Sequence, residues 1–348
     1  MSIFSSVGDY FALDIGTTAV RAVELSGGNG SWSLSRYGIA PVDIKISSSD
    51  SSDNLRKLSE IITTVIGQSG IRSKNVIVGI PSNKIFATVI ELPDMPHDEL
   101  AATIKYQAEQ YIPMNIDQAK YDYSVLGKSP KDPSKNEILL ASVANSFVES
   151  RLDQLEGMGL NVIAIEPDPI ALTRALLQTG TPEAKVIVEV GDFATEIVVT
   201  YNDAPRLVRS IPTGLQSLIK SVAQNLNVQP VQAGQFIMKF GLQSDKLEGQ
   251  VYRAVEATTG QLASEVVKSI KFFQTKYPEV PLTSMIVSNY GVTIPALSNY
   301  LSEKTGLRAE MGNPWQRVQV SSSVQTELQQ SSAQFAVAIG LAQRGPDA

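Results

Sequence analysis

The stretch Phe11-Ala-Leu-Asp-Ile-Gly-Thr-Thr-Ala-Val-Arg-Ala-Val-Glu-Leu25 constrains the fold more than any other part of the chain. An apolar run ends in Asp14, Gly16 and two hydroxyls, and a second run from Val20 to Leu25 alternates with Arg21 and Glu24. That pattern predicts strand, tight turn, strand. Gly16 lets the backbone turn closely, so the amides and hydroxyls of Gly16, Thr17 and Thr18 can form a small nest for a phosphate. A carboxylate at Asp14 then stands where a phosphate-bound Mg²⁺, or its water shell, takes an oxygen ligand. An ordinary hairpin, in which Gly and Thr serve only the turn, fits the same residues.

The second half of the chain repeats this grammar. Val186-Ile-Val-Glu-Val-Gly-Asp-Phe-Ala-Thr-Glu-Ile-Val-Val-Thr-Tyr201 runs apolar strand, acid, spacer, glycine, hydroxyl and second strand. Glu189, Gly191 and Thr195 take the corresponding places, with Asp192 beside the glycine. Two related hairpins far apart in one chain predict two similar lobes facing each other across a cleft. The pair resembles the two phosphate loops of the actin-like ATPase superfamily, in which a nucleotide lies between two lobes. Within that superfamily the chain resembles the PilM family of type IV pilus assembly proteins, relatives of the division protein FtsA. Residues 92–113, Leu-Pro-Asp-Met-Pro-His-Asp-Glu-Leu through Tyr-Ile-Pro, look like the segment that opens the inserted subdomain of that family. Tyr121-Asp-Tyr-Ser-Val-Leu126, Leu155-Glu-Gly-Met-Gly-Leu160 and Ile165-Glu-Pro-Asp-Pro-Ile-Ala-Leu172 continue the match in order. The resemblance covers nearly the whole chain, from Phe11 to Ala342.

It implies an α/β chain with a two-lobed actin-like (ribonuclease H-like) ATPase fold and an FtsA/PilM-type inserted subdomain. The expected divisions are a first-lobe core over 1–90 and the insert over 91–167. A second lobe follows over 168–314, with a helical part at 214–280, and residues 315–348 return to the first lobe. Composition agrees with such a chain. Its 348 residues are 43% hydrophobic and 18% charged, enough for a sizeable core and about two domains. A net charge of −6 without a basic cluster argues against nucleic acid as a main partner. No segment approaches the roughly 18 uninterrupted apolar residues of a membrane span. Residues 1–6 lack a basic-then-apolar signal, and the tail over 344–348 is too short for an amphipathic anchor. The absence of cysteine excludes disulfides and thiolate sites. A cytoplasmic chain, peripheral to the inner face of the membrane through another protein, is therefore expected.

Between the hairpins the pattern predicts a third strand at 32–39, a helix over 54–68 and a buried strand at 75–80. From Ile90 to Ala164 a small α/β unit is expected, with a helix over 98–111, strands at 121–126 and 138–143, a helix over 146–158 and a strand at 162–165. The second lobe carries helices over 216–225, 230–240 and 251–277. A strand, turn and helix start follow at 284–297. The small-residue run 335–342 reads as a closing helix that packs back on the first lobe.

The resemblance assigns nucleotide binding to Asp14, Gly16, Thr17, Thr18 and Arg21 in the first hairpin. It adds Gly191, Asp192 and Thr195 in the second, Gly214 in the following turn, and Asn289, Tyr290 and Gly291 at the base slot. Asp14 and Glu189 would place Mg²⁺, in part through water. The chain departs from the family pattern where Glu189 replaces the usual Asp. It departs again where Ser288-Asn-Tyr-Gly291 replaces a glycine-rich run, so Tyr290 either stacks on a base or fills the slot. Glu166 and Asp168 either orient a hydrolytic water or cap the helix from Pro169. His97, the only histidine, stands at an expected helix start, which argues against Ser-His-Asp chemistry and His-based metal sites. The resemblance thus implies an adaptor that uses ATP and Mg²⁺ as conformational ligands, with weak or no hydrolysis. It would bind the cytoplasmic N-terminal peptide of a PilN-like membrane protein in a groove around Tyr106, Gln107, Glu109, Gln110, Tyr111 and Ile112. Pilus motor ATPases and self-association are further expected partners, in a type IV pilus or a type II secretion-like machine. An active ATPase or sugar kinase and an FtsA-like filament protein are the rival readings.

Overall fold

A computed structural model describes residues 9–28, 30–178, 180–328 and 331–344, apart from the side chains of His97 and Glu327. Residues 1–6 and most of the tail, read above as neither signal nor anchor, lie outside the described residues. The chain divides into two compact units, residues 1–175 with 314–348 and residues 176–313.

The first unit begins with the predicted hairpin. β1 (Tyr10–Ile15) and β2 (Ala19–Gly28) pair antiparallel, and β3 (Ser31–Pro41) extends the meander. A short helix, α1 (Ile44–Ser47), precedes α2 (Ser52–Ser69), where the Ser51 side chain accepts from the Asn54 amide and Gly70 closes the helix in the left-handed conformation. The serine-rich stretch thus serves as a cap, as such residues do. β4 (Asn75–Ile80) lies parallel to β1. Leu58, Ile62 and Val65 of α2 pack with Phe11, Leu13, Val20, Ala22, Val76 and Val78. These strands are buried on both faces, which is why they read as near-continuous apolar runs.

β5 (Ile85–Pro93) then opens a separate three-stranded sheet. It is followed by α3 (His97–Tyr111), β6 (Ala119–Lys128) and β7 (Lys135–Ala144), with β7 central and both pairings antiparallel. Ile104 and Ala108 of α3 pack on Ile90, Ile138 and Leu140. After α4 (Asn145–Gly157), β8 (Asn161–Pro167) leaves this small sheet and pairs parallel with β4. The strand expected at 162–165 is therefore not part of the small unit. It shows no alternation of polar and apolar residues that would distinguish the two destinations, and its apolar positions fit the interface beside β4. α5 (Asp168–Leu176) follows.

The second unit is built on a five-stranded sheet. β9 (Ala184–Val190), β10 (Thr195–Tyr201) and β11 (Ala204–Ile211) form its meander, after which come α6 (Leu215–Leu226), α7 (Pro230–Phe240) and the long α8 (Gln250–Lys276). β12 (Leu282–Asn289) adds parallel to β9, and the four-residue α9 (Tyr290–Thr293) and α10 (Leu297–Thr305) lead to β13 (Arg308–Met311) at the edge. Val255, Val266, Ile270 and Phe273 of α8, which recur at helical spacing, are buried with Val186, Val188 and Ile197 of the sheet.

The chain then returns to the first unit. β14 (Val318–Gln319) pairs with β3, completing the order β14-β3-β2-β1-β4-β8. α11 (Ser322–Leu328) and a 3₁₀ turn at Ser332–Phe335 lead into α12 (Ala336–Ala342), every residue of which is buried. It packs against β1, β2 and β4. Gly340 carries the closest approach, since a Cβ there would lie 2.9 Å from the Ala171 Cα and closer still to the Ala171 carbonyl.

Candidate functional site

The first hairpin places Asp14 directly opposite Arg21 across two antiparallel strands, so both side chains leave the same face of the sheet. Arg21 Nη1 donates to Asp14 Oδ2 at 3.1 Å, and Nη2 donates to Gln334 Oε1 at 3.1 Å. Asp14 and Arg21 are 6% and 7% exposed. Burial raises the Asp14 carboxyl above its ordinary value of 3.8, while the charge and hydrogen bond of Arg21 pull it back. The turn itself closes with Gly16 N–H donating to Ala19 O at 3.0 Å. A Cβ on Gly16 would stand 3.0 Å from that oxygen and 3.1 Å from Arg21 Nη1, so only glycine leaves the guanidinium face clear. The tip is braced from behind: Ser47 Oγ donates to Thr17 O, and Val42 N–H donates to Thr18 O. Thr17 is exposed at the tip and Thr18 half-buried.

The second hairpin repeats the backbone and changes the charges. Gly191 N–H donates to Ala194 O at 2.9 Å, the counterpart of the Gly16 turn. Seven residues after its acid, where the first hairpin carries Arg21, this one carries Glu196, and Glu189 and Glu196 stand opposite one another. Ser288 of β12 flanks Glu189 on the other side. Thr195 is fully buried and its hydroxyl donates to Thr213 O at 2.7 Å, so it braces the turn and is not presented to solvent. Gly214 presses against the hairpin backbone, with a Cβ there falling 2.5 Å from Gly191 O and 2.6 Å from Asp192 O. These same two oxygens accept from the Leu215 and Gln216 amides, which are the first donors of α6. The carbonyls of the hairpin therefore cap α6, and those two amides are spent before any phosphate arrives.

At the end of β12 the expected base slot is shaped by Asn289, which adopts φ 57° and ψ −130°. Its Oδ1 and the Ser288 Oγ are buried without a hydrogen-bond partner. Tyr290 is half-buried and packs against the core of the second unit. Gly291 is required sterically, because a Cβ there would run into Val287 Cγ1 and lie 3.2 Å from Val190 Cγ2.

Glu166 does not cap the helix after it. It is 5% exposed on β8, and Arg174 Nη1 and Nη2 reach its two oxygens at 2.7 and 3.0 Å. Arg174 also donates to Gly340 O at 2.7 Å, and Arg344 Nε lies 3.6 Å from Glu166 Oε2. The carboxylate is thus the centre of a clamp on α12, and its bidentate pairing leaves it poorly suited to hold a water. Asp168 opens α5.

A model of the type IV pilus assembly protein PilM family matches residues 12–346. The chain belongs to the PilM family. Among solved structures, a chain of a PilM–PilN type IV pilus biogenesis complex is 22% identical and superposes with a TM-score of 0.81, over 96% of this chain and 97% of that one. The ethanolamine utilization protein EutJ from Carboxydothermus hydrogenoformans superposes at 0.56 with 14% identity, covering 96% and 89%. MreB5 of Spiroplasma citri bound to AMPPNP superposes at 0.55 with 11% identity, covering 96% and 95%. The expected actin-like fold is therefore the observed one. No helix among the described residues is long and apolar enough to cross a membrane.

The residues present fit a phosphate better than a directly bound metal. Arg21 Nε is a buried donor with no acceptor, and the missing Cβ of Gly16 leaves room beside Nη1 of the same guanidinium. Asp14 already shares its Oδ2 with Arg21, and among the described residues no group of three or more acidic, His or Cys side chains could hold a metal ion. On α3, Tyr106 is 67% exposed and Tyr111 44%, with Glu109 and Gln110 exposed and Gln107 half-buried. Ile112, grouped with them in the sequence, is 4% exposed and packs in the core with Ile104 and Ala108. Gln334 went unnoticed in the sequence, because a neutral side chain 313 positions from Arg21 carries no local signal.

Proposed function

We propose that this PilM-family chain is an actin-like adaptor that binds the cytoplasmic N-terminal segment of a PilN-like membrane protein, with ATP as a conformational ligand. The observation that carries the reading is the family match over residues 12–346 together with the near-complete superposition on a chain from a PilM–PilN complex. In this reading the exposed side of α3, centred on Tyr106, contributes to the peptide groove. An aromatic ring exposed on a helix beside polar neighbours is the kind of anchor such interfaces use. The first hairpin takes the phosphates through Arg21, since the Gly16 amide is already bonded to Ala19 O, and any Mg²⁺ arrives with the nucleotide. When bound, the nucleotide supplies charge that one conformation of the chain matches better than another, which shifts populations without turnover. The clamped Glu166 favours this over the ATPase reading, since Arg174 occupies both oxygens of one of the two acids that the sequence offers to orient water.

Titration calorimetry with a synthetic peptide of the PilN-like segment, with and without MgATP, tests both parts. Peptide binding in the micromolar range, weakened at least tenfold by Tyr106→Ala with no change in melting temperature, is the expected result. Absence of peptide binding with or without nucleotide would overturn the adaptor reading. A steady ATPase rate lost in Asp14→Asn would favour the enzyme rival, and sedimentation on adding ATP would favour the filament rival.

A further inference from the structure

Arg21 has five N–H donors in a planar fork, and the structure accounts for them unevenly. Nη1 is taken by Asp14 and Nη2 by Gln334, whereas Nε is buried with no acceptor. A lone monodentate carboxylate leaves much of the guanidinium charge unspent, and an unsatisfied buried donor is costly. The second acceptor is neutral. Gln334 comes from the 3₁₀ turn at Ser332–Phe335, far along the chain but within the same unit. That turn does not depend on Gln334 for its anchorage. Phe335 is fully buried, edge-on to Tyr37 at 6.0 Å and tilted on Trp315 at 5.7 Å, and Trp315 Nε1 donates to Ser332 O at 2.9 Å. The turn is thus held in place by contacts other than the one from Gln334 Oε1 to Arg21.

We propose that Gln334 is a positioning residue for the phosphate-binding guanidinium: it fixes the plane of Arg21 so that Nε faces an incoming phosphate oxygen, and its neutrality keeps the positive charge available. The inference rests on the reading of the first hairpin as a phosphate site. It assigns a specific role to the C-terminal return of the chain, which would otherwise count only as packing. A carboxylate at position 334 would pair with Arg21 as well as the amide does, or better, and would cancel the charge that attracts a phosphate. Removing the acceptor would instead free the guanidinium to rotate about its remaining bond to Asp14.

The two substitutions separate the proposed role from a structural one. Gln334→Glu is expected to leave the melting temperature of the ligand-free chain unchanged or raised, yet to weaken MgATP and pyrophosphate binding at least tenfold in titration calorimetry. Gln334→Leu, apolar and without an acceptor, is expected to weaken both ligands severalfold. A merely structural residue would move stability and affinity in the same direction. Wild-type binding with Gln334→Glu indistinguishable from it would overturn the proposal while leaving the phosphate site intact. So would an affinity loss that only tracks a lowered melting temperature. Wild-type chain that binds neither MgATP nor pyrophosphate at millimolar concentration would instead remove the phosphate reading and the proposal with it.

Discussion

Replacing Gly340 by Ala and Gly67 by Ala makes the same chemical change in two helices and should move stability in opposite directions. Gly67 lies in α2 with nothing within 4 Å of the position its Cβ would take. The change there reduces the freedom of the unfolded chain and adds no clash, so it should stabilise by about 0.5–1 kcal/mol. Gly340 lies in α12, where the added carbon would overlap the Ala171 carbonyl, against an ordinary contact of 3.4–4 Å. Relieving that overlap requires α12 and α5 to part by about an ångström or more, since backbone atoms have no rotamer to give. Overpacking of this kind costs typically 1–3 kcal/mol and occasionally more, and here it strikes main chain. The movement would also stretch the bond from Arg174 to Gly340 O, worth roughly 1.5–3 kcal/mol as a charge-assisted contact. Against these stands about 1 kcal/mol of helix propensity gained. A net loss of about 2 kcal/mol or more follows, which for a unit of this size is about 4–8 °C in melting temperature. Thermal unfolding followed by circular dichroism measures both variants. A Gly340→Ala chain melting at or above the wild type would refute the reasoning, because it would mean the helices do not approach as closely as described.

Three further outcomes follow from the same contacts. Glu166→Ala should cost about 3–5 kcal/mol in urea denaturation, because it leaves Arg174 and Arg344 side by side without their buried counter-charge; a loss under about 1 kcal/mol would show that the clamp is dispensable. Hydrogen bonds from Lys128 and then Asn136 hold the Asp94 carboxyl below its ordinary value of 3.8. A depressed folded-state pKa means that the stabilisation is present above 3.8 and is lost as pH falls through the folded value; carbon-13 titration should show Asp94 ionising below 3.8, and an ordinary value in wild type would contradict the bonding. Gly214→Ala should prevent the α6 start from closing on the second hairpin, since the new Cβ would meet two carbonyl oxygens; unchanged amide exchange at Leu215 and Gln216 would count against that lock.

The strands and helices were legible where period and composition agree. α7 spans the expected 230–240, and β4 the expected 75–80. The small-residue run of α12 gave its own reason, a close crossing, and Gly340 supplies it. β8 was misplaced because a strand's neighbours are set by which edge remains open, a property of topology that its own residues do not encode. The burial of Ile112 was not legible, because it follows the exposed Tyr111 at the end of a helix, where the direction of a side chain depends on how the chain leaves the last turn. Arg21 was visible as a member of the hairpin, but its second partner was not. Asp14 and Arg21 are neighbours in register, whereas Gln334 reaches them only after the chain has built an entire second unit.

The glycines that first suggested a phosphate site turn out to be demanded by folding. Gly16 closes a turn onto Ala19, Gly191 onto Ala194, Gly214 meets the backbone of Gly191 and Asp192, and Gly291 fits between Val287 and Val190. Each would be needed in a chain that binds nothing, so none of them separates a nucleotide-binding hairpin from a structural one. What does separate them is charge left without an acceptor. In the first hairpin that is the Arg21 Nε, and in the second the corresponding place is held by an acid, Glu196, with a capped helix beyond it. Recognition of phosphate should accordingly be asymmetric and concentrated on the first hairpin. Arg21→Ala would then remove most of the affinity for both MgATP and pyrophosphate in titration calorimetry. Unchanged affinity for both ligands in that variant would refute the assignment of the phosphate to Arg21.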